Sequence, residues 1–406
     1  MKFNLTEGGV CAPKGFRASG VCAGIRNNTK KPDLALIKSD VICNASAVYT
    51  TNKVKGAPIK ITQKNIRDGK AEAIICNSGN ANTCTPNGLE IADKTTAILA
   101  EHTDIAKEDI LIASTGVIGE PLKIEPFKKG IPKLVKELSY KGSHDAACAI
   151  MTTDTEAKEV AISFEINGKK VTIGGMAKGS GMINPNMATM LAFITTDINI
   201  SSEMLQKALD EDVKDSFNQI SVDGDTSTND TVILMANGLA SNKEINQTGN
   251  DFEIFKEALA VITKTLAKKM AADGEGAEKF ICCKITGAPT KELARNISKS
   301  VISSNLLKAA IFGEDANWGR VLCAIGYTPG DFNAEDIDVT MLSERGKVKV
   351  CSQSKTSKYD EEDAAQVLKS KEIYINIDMH QGAESAEAYG CDLTYKYVEI
   401  NGDYRS

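Results

Sequence analysis

The residues best suited to chemistry lie near the middle of the chain. Residues 174–191 read Gly-Gly-Met-Ala-Lys178-Gly-Ser-Gly-Met-Ile-Asn-Pro-Asn-Met-Ala188-Thr189-Met-Leu. A stretch this rich in glycine, set between two apolar runs, reads as a loop that brings backbone close to something. It is not a phosphate loop. That motif places Lys after its last glycine and Ser or Thr after the Lys, whereas Lys178 precedes its glycine. On local chemistry alone, Thr189 reads first as a strand residue, since β-branching suits the start of the apolar run Met190 to Ile194. A second role is open to it. A threonine released at a new N-terminus carries its own general base, an α-amine with a reference pKa of roughly 7.7–8.0.

The rest of the chain offers little competing chemistry. No G-x-S-x-G elbow occurs, and with His102, His144 and His380 as the only histidines a Ser-His-Asp triad has little support. The eleven cysteines contain no C-x-x-C pair, so the expected state is reduced, mostly buried thiols and no metal site. The acidic loop Asp223 to Asp230 imitates a calcium loop. It lacks the glycine at position six and the glutamate at position twelve, so calcium is rejected and its role stays unassigned. A net charge of -6 argues against nucleic acid. Residues 1–9 are polar, and no stretch approaches the roughly 18 uncharged apolar residues of a membrane helix, so a protein of the cytoplasm, or of an organelle matrix once any address is removed, is expected.

The elements that must position these residues are of both kinds. With 406 residues, 42% of them hydrophobic, the chain is expected to fold as two or three units. Val160 to Ile166 reads as a strand, and Asn167-Gly168 turns it toward a second strand at Val171 to Ile173. Leu205, Leu209, Val213 and Phe217 form a helical stripe after a Ser201-Ser202 cap. Phe252 to Met270 reads as a helix ended by Ala272-Asp273-Gly274. Ile373 to Ile377 and Leu393 to Ile400 alternate like strands. The fold class is mixed α/β, of the α+β kind, with layered sheets and helices, and the hairpins argue against a purely parallel sheet.

The central stretch resembles the self-cleavage motif of the ornithine acetyltransferases, also called bifunctional glutamate N-acetyltransferases. The likeness runs the length of the chain. Ala-Ser-Thr115-Gly116-Val-Ile-Gly is similar to the family's oxyanion segment, and Ala-Ile-Met-Thr152-Thr-Asp-Thr to a substrate-contacting one. Val222-Asp-Gly-Asp-Thr-Ser-Thr-Asn-Asp, Asp-Gly-Glu275-Gly-Ala and the tail Tyr-Val-Glu-Ile-Asn401-Gly-Asp-Tyr-Arg-Ser406 follow in order. Each piece is weak alone, but six in order are specific.

The resemblance implies an N-terminal-nucleophile-like enzyme of arginine biosynthesis that cuts itself between Ala188 and Thr189. An α chain (1–188) and a β chain (189–406) would stay associated as an α2β2 heterotetramer. Thr189 would take acetyl from N2-acetyl-L-ornithine and pass it to L-glutamate. Thr115 and Gly116 would supply the oxyanion donors, Thr115 by its side chain or amide and Gly116 by its amide. Lys178 would meet the α-carboxylate and Glu275 the cationic group, with Thr152, Asn401 and Ser406 completing the polar contacts. No cofactor is implied, and acetyl-CoA is the one further co-substrate the resemblance admits. The alternative is an N-terminal-nucleophile amidohydrolase or aminopeptidase, which differs in using water as acceptor. A non-enzymatic amino-acid binding protein would instead stay one intact chain.

Overall fold

The computed structural model describes residues 3–26, 30–184 and 190–403. Two mixed sheets carry helices on their faces. In the larger sheet the strands run in the order Asn4–Thr6, Lys158–Ile166, Lys169–Lys178, Leu191–Thr196, Thr231–Ala236, Leu34–Tyr49, Lys70–Asn77 and Ile110–Ser114, and Phe16–Val21 also pairs with Leu34–Tyr49. In the smaller sheet Phe280–Ala288 lies between Glu372–Asp378 and Glu384–Cys391.

The hairpin read from Asn167-Gly168 is present. Lys158–Ile166 pairs antiparallel with Lys169–Lys178, and Asn167 and Gly168 both turn with positive φ, at 51° and 72°. Neither sheet is purely parallel. Leu191–Thr196 runs parallel to Thr231–Ala236 but antiparallel to Lys169–Lys178. The helix expected over Phe252 to Met270 spans Asn250–Ala272. Its buried Phe255, Leu259, Ile262, Leu266 and Met270 recur at helical spacing and face the core it shares with the larger sheet.

Three expectations need correction. Leu393 to Ile400 is not a strand, for Tyr395–Asp403 is a helix. None of its residues is buried, so the alternation marks no inward face, and a segment off the sheet meets its own backbone hydrogen bonds by coiling. Gly174 to Lys178 is not loop but the end of a strand, held by partners on both sides. The helix begun at Ser201, which accepts from the Met204 amide at 3.3 Å, stops at Asp212, short of Val213 and Phe217. There the Ser216 hydroxyl donates to the Asp212 carbonyl at 3.0 Å, competing with the helical ladder.

The division at residue 188 does not separate the sheets. Leu191–Thr196 and Thr231–Ala236, beyond it, pair with Lys169–Lys178 and Leu34–Tyr49, before it. Chains cut at that point would share one continuous sheet and one core.

Candidate active site

Thr115 and Gly116 leave the strand Ile110–Ser114 as it ends. The Thr115 amide donates to the Asn77 carbonyl at 3.0 Å, so this amide is already engaged. Among the described residues the Thr115 hydroxyl and the Gly116 amide make no hydrogen bond, and both residues line the same cavity. Gly116 has φ 129°, and a Cβ there would collide with the backbone of Gly79 and Asn80. Only glycine lets the two segments lie this close. Asn229 clamps the corner from the acidic loop. Its Nδ2 donates to the Ala81 carbonyl at 2.6 Å and the Ser114 carbonyl at 2.9 Å, and its Oδ1 accepts from Thr83 at 2.6 Å.

Lys178 closes the strand Lys169–Lys178 and is buried, far from the solvated state usual for lysine. Its Nζ donates to Thr152 Oγ1 at 2.8 Å and lies 3.7 Å from Asp154 Oδ2. Asp154 is itself buried. Its Oδ1 accepts from Lys158 Nζ at 2.8 Å and from the Gly179 amide at 2.6 Å, and Lys158 also bonds Asp273. Burial alone would raise the Asp154 pKa, but Lys178 and Lys158 outweigh it and hold the carboxyl well below the ordinary range.

Glu275 follows the helix Asn250–Ala272. Its amide donates to the Ser180 carbonyl at 2.8 Å, and its Oε2 accepts from Asn401 Nδ2 at 2.8 Å. The carboxylate lies against Gly181, where a Cβ would collide with it. Asp223 fixes the neighbouring backbone, accepting from the Met182 amide at 2.6 Å and the Ile183 amide at 2.8 Å. This gives the unassigned acidic loop a place: it holds the backbone of Met182 and Ile183.

One cavity of about 220 Å³ is lined by Thr115, Gly116, Thr152, Lys178, Met190, Glu275 and Asn401, among others. That is below the roughly 300–1,000 Å³ of drug-sized sites, so it suits a small molecule. The fold thus gathers six of the residues singled out from the sequence. Ala188, Thr189 and Ser406 lie outside the described residues, and Met190, next in chain to Thr189, is at the cavity wall. Sequence reasoning missed Asp154, Asn229 and Asp230. The first sits two residues from Thr152 and the others end the acidic loop, so proximity to the family-like motifs was their only signal.

Among the described residues, two unbonded donors, a lysine and a carboxylate surround this small space, the groups that an acyl-transfer site for an amino acid would need. The sequence pattern of the ArgJ family matches residues 17–406, and the chain belongs to that family. It is 50% identical over 403 residues to the arginine biosynthesis bifunctional protein ArgJ of Caldanaerobacter subterraneus, an alignment covering 99% of this chain and 100% of that one. The ArgJ 1 protein of Clostridium acetobutylicum is 47% identical over 392 residues, 96% of each chain. A crystal structure of ArgJ from Bacillus halodurans aligns with TM-score 0.51 and 44% identity, covering 53% of this chain and 100% of the solved one. The chain is an acyltransferase of arginine biosynthesis. No described helix is long and apolar enough to cross a membrane.

Proposed function

We propose that the enzyme moves acetyl from N2-acetyl-L-ornithine to L-glutamate through an acetyl-Thr189 intermediate, after cutting itself between Ala188 and Thr189. The observation that carries this is the pair of unused donors, the Thr115 hydroxyl and the Gly116 amide, in a cavity walled by Met190. Thr189 Oγ attacks the acetyl carbon while the α-amine of residue 189 takes its proton. The carbonyl oxygen gains charge, which the two donors meet. The C–N bond then breaks, the departing ornithine nitrogen receives that proton, and an acetyl ester remains on Thr189. The glutamate amine attacks the ester by the reverse sequence. Lys178 pairs with the α-carboxylate common to both substrates, and Thr152 orients Lys178. Glu275, with Asn401, receives the side-chain ammonium of ornithine.

Self-cleavage has separate support. A cut before Thr189 leaves a C-terminal piece of just over half the chain, and the whole solved chain of the Bacillus halodurans relative matches a similar share. Ser406, acetyl-CoA as a second acetyl donor and the α2β2 assembly complete the reading on family resemblance, and a cytoplasmic location on the sequence expectation above. Intact mass spectrometry after incubation with N-acetyl-ornithine tests it. Two fragments are expected, the C-terminal one beginning Thr-Met-Leu and carrying one acetyl group that glutamate removes. An active, uncleaved chain would sink the reading, and release of free acetate regardless of glutamate would make the enzyme a hydrolase.

A further inference from the structure

Asp230 is 3% exposed and stands at the wall between two cavities. On one side are the active-site residues, including Lys178 and Glu275. On the other are Val48, Val213, Phe217, Asn218 and Val232, none of them ionisable. Asp230 lies beside Met190: the amide of Thr231, next in chain, donates to the Met190 carbonyl at 3.0 Å, and Met190 lines both cavities with it. Its Oδ2 is buried and has no hydrogen-bond partner among the described residues. A buried carboxyl with an unmet oxygen is costly unless it is protonated or something else arrives to meet it. Burial does push its pKa well above the ordinary value, and Lys178 only partly opposes this.

The Met190 amide is joined through one residue to the nitrogen of residue 189. Residue 189 precedes Met190 in the chain, so its nitrogen is one residue, at most about 3.6 Å of chain, from a residue that shares the cavity wall with Asp230. Before cleavage it is a neutral peptide nitrogen. After cleavage it is an amine able to carry a proton and a positive charge. From this, and resting on the Thr189 reading above, we infer that Asp230 is the counter-ion of the amine that self-cleavage creates. In the uncut chain the carboxyl keeps its proton. In the mature enzyme it ionises and pairs with the new ammonium, setting how readily that amine gives up its proton to become the catalytic base. Burial and Lys178 draw the amine's pKa down, and Asp230 draws it back up. Asp230 acts through the amine and is a positioning residue.

The test is Asp230→Asn in the full chain, with cleavage followed by intact mass and acetyl transfer measured against pH. The wild-type rate rises with pH as the amine loses its proton. Losing a nearby opposite charge moves such a titration by about 1–3 units, in this case toward lower pH. Cleavage with an acidic limb shifted down in this way supports the inference. Normal cleavage with an unmoved limb overturns it, as when the new carboxylate of Ala188 pairs with the amine instead. If Asp230→Asn fails to fold or to cleave, difference infrared spectroscopy decides without it. Uncleaved Thr189→Ala should show a protonated-carboxyl C=O band at neutral pH that mature wild type lacks, and the same band in both overturns the inference. A wild-type chain that stays in one piece overturns the nucleophile reading and this inference together. A cleaved, active chain with no shift overturns this inference alone.

Discussion

Lys178 Nζ stands 3.7 Å from Asp154 Oδ2, and the other oxygen of the same carboxylate receives Lys158 Nζ at 2.8 Å. One buried anion is thus shared by two buried cations, with Asp273 on the far side of Lys158. Its reach extends further. The Thr152 amide donates to Asp154 Oδ2 at 2.9 Å, the Gly179 amide bonds Oδ1, and Asp273 lies two residues before Glu275. Through these bonds Asp154 ties the cavity-lining Thr152 and Lys178 to one another, and through Lys158 it reaches Asp273 beside Glu275.

Asp154→Asn should therefore cost both stability and binding. Breaking a buried pair by removing one partner costs about 3–5 kcal/mol, and Asp273, which stays on Lys158, should bring the loss to the lower end. Urea denaturation checks this. The pH sense is fixed by the depressed carboxyl: its stabilisation is present above the unfolded pKa and lost as pH falls through the folded one. The wild-type advantage over the variant should shrink in acid. An equal difference at neutral and strongly acid pH would show that charge is not what Asp154 contributes.

Thr115→Ala should leave the fold intact, because the hydroxyl has no hydrogen bond among the described residues and the amide keeps its bond to Asn77. Loss of one oxyanion donor lowers turnover by about 10²–10³-fold. Turnover near the wild-type rate would reduce Thr115 to a turn residue. Gly116→Ala should fail differently, in folding yield, since the added Cβ meets the Gly79 backbone.

Much of the fold was legible in the sequence, and what was not has physical causes. The hairpin at Asn167-Gly168 and the helix around Phe255 to Met270 announce themselves because their signals are local. Tyr395–Asp403 misleads because a short exposed helix needs no periodic apolar face. The site residues came from family resemblance, since a lone Thr-Gly or Gly-Glu-Gly states no chemistry. Asp154 and Asn229 were out of reach because their importance lies in partners distant in sequence, such as Lys178 for one and Ala81 and Ser114 for the other. That the Thr115 amide is engaged, leaving the hydroxyl, is likewise a fact of strand ends.

Gly181→Ala tests how Glu275 is placed. A Cβ at Gly181 would displace the Glu275 carboxylate from its bond with Asn401. Charged hydrogen bonds are worth about 1.5–3 kcal/mol, so KM for N-acetyl-ornithine should rise about 10- to 100-fold. The signature is a KM effect larger than the kcat effect. Equal loss in both would mean that the change disturbs the reacting centre.

Asp212 offers a check far from the site. Burial raises its pKa to about 6, with Thr263 and Ser216 opposing through hydrogen bonds. A raised carboxyl stabilises the fold below the unfolded pKa, and that contribution is lost as pH rises through about 6. Asp212→Asn should raise stability at pH 8 by about 3 kcal/mol, seen as a higher Tm, and change little at pH 4. A pH-independent Tm difference would contradict this.

Thr189 carries the last prediction. Thr189→Ala removes the hydroxyl and should abolish both cleavage and acetyl transfer. Thr189→Ser keeps an oxygen nucleophile and should retain part of each. Without the β-branch its χ1 is less restricted, so the hydroxyl is held less well and the rate falls. In mature enzyme the transfer rate should rise with pH, because only the unprotonated amine can accept the hydroxyl proton. Chemical blocking of that amine after cleavage separates base from nucleophile, since it leaves the hydroxyl in place. Transfer should stop in the blocked enzyme. If blocked enzyme still acetylates glutamate at the full rate, the amine of residue 189 is not the base, and another group takes the hydroxyl proton.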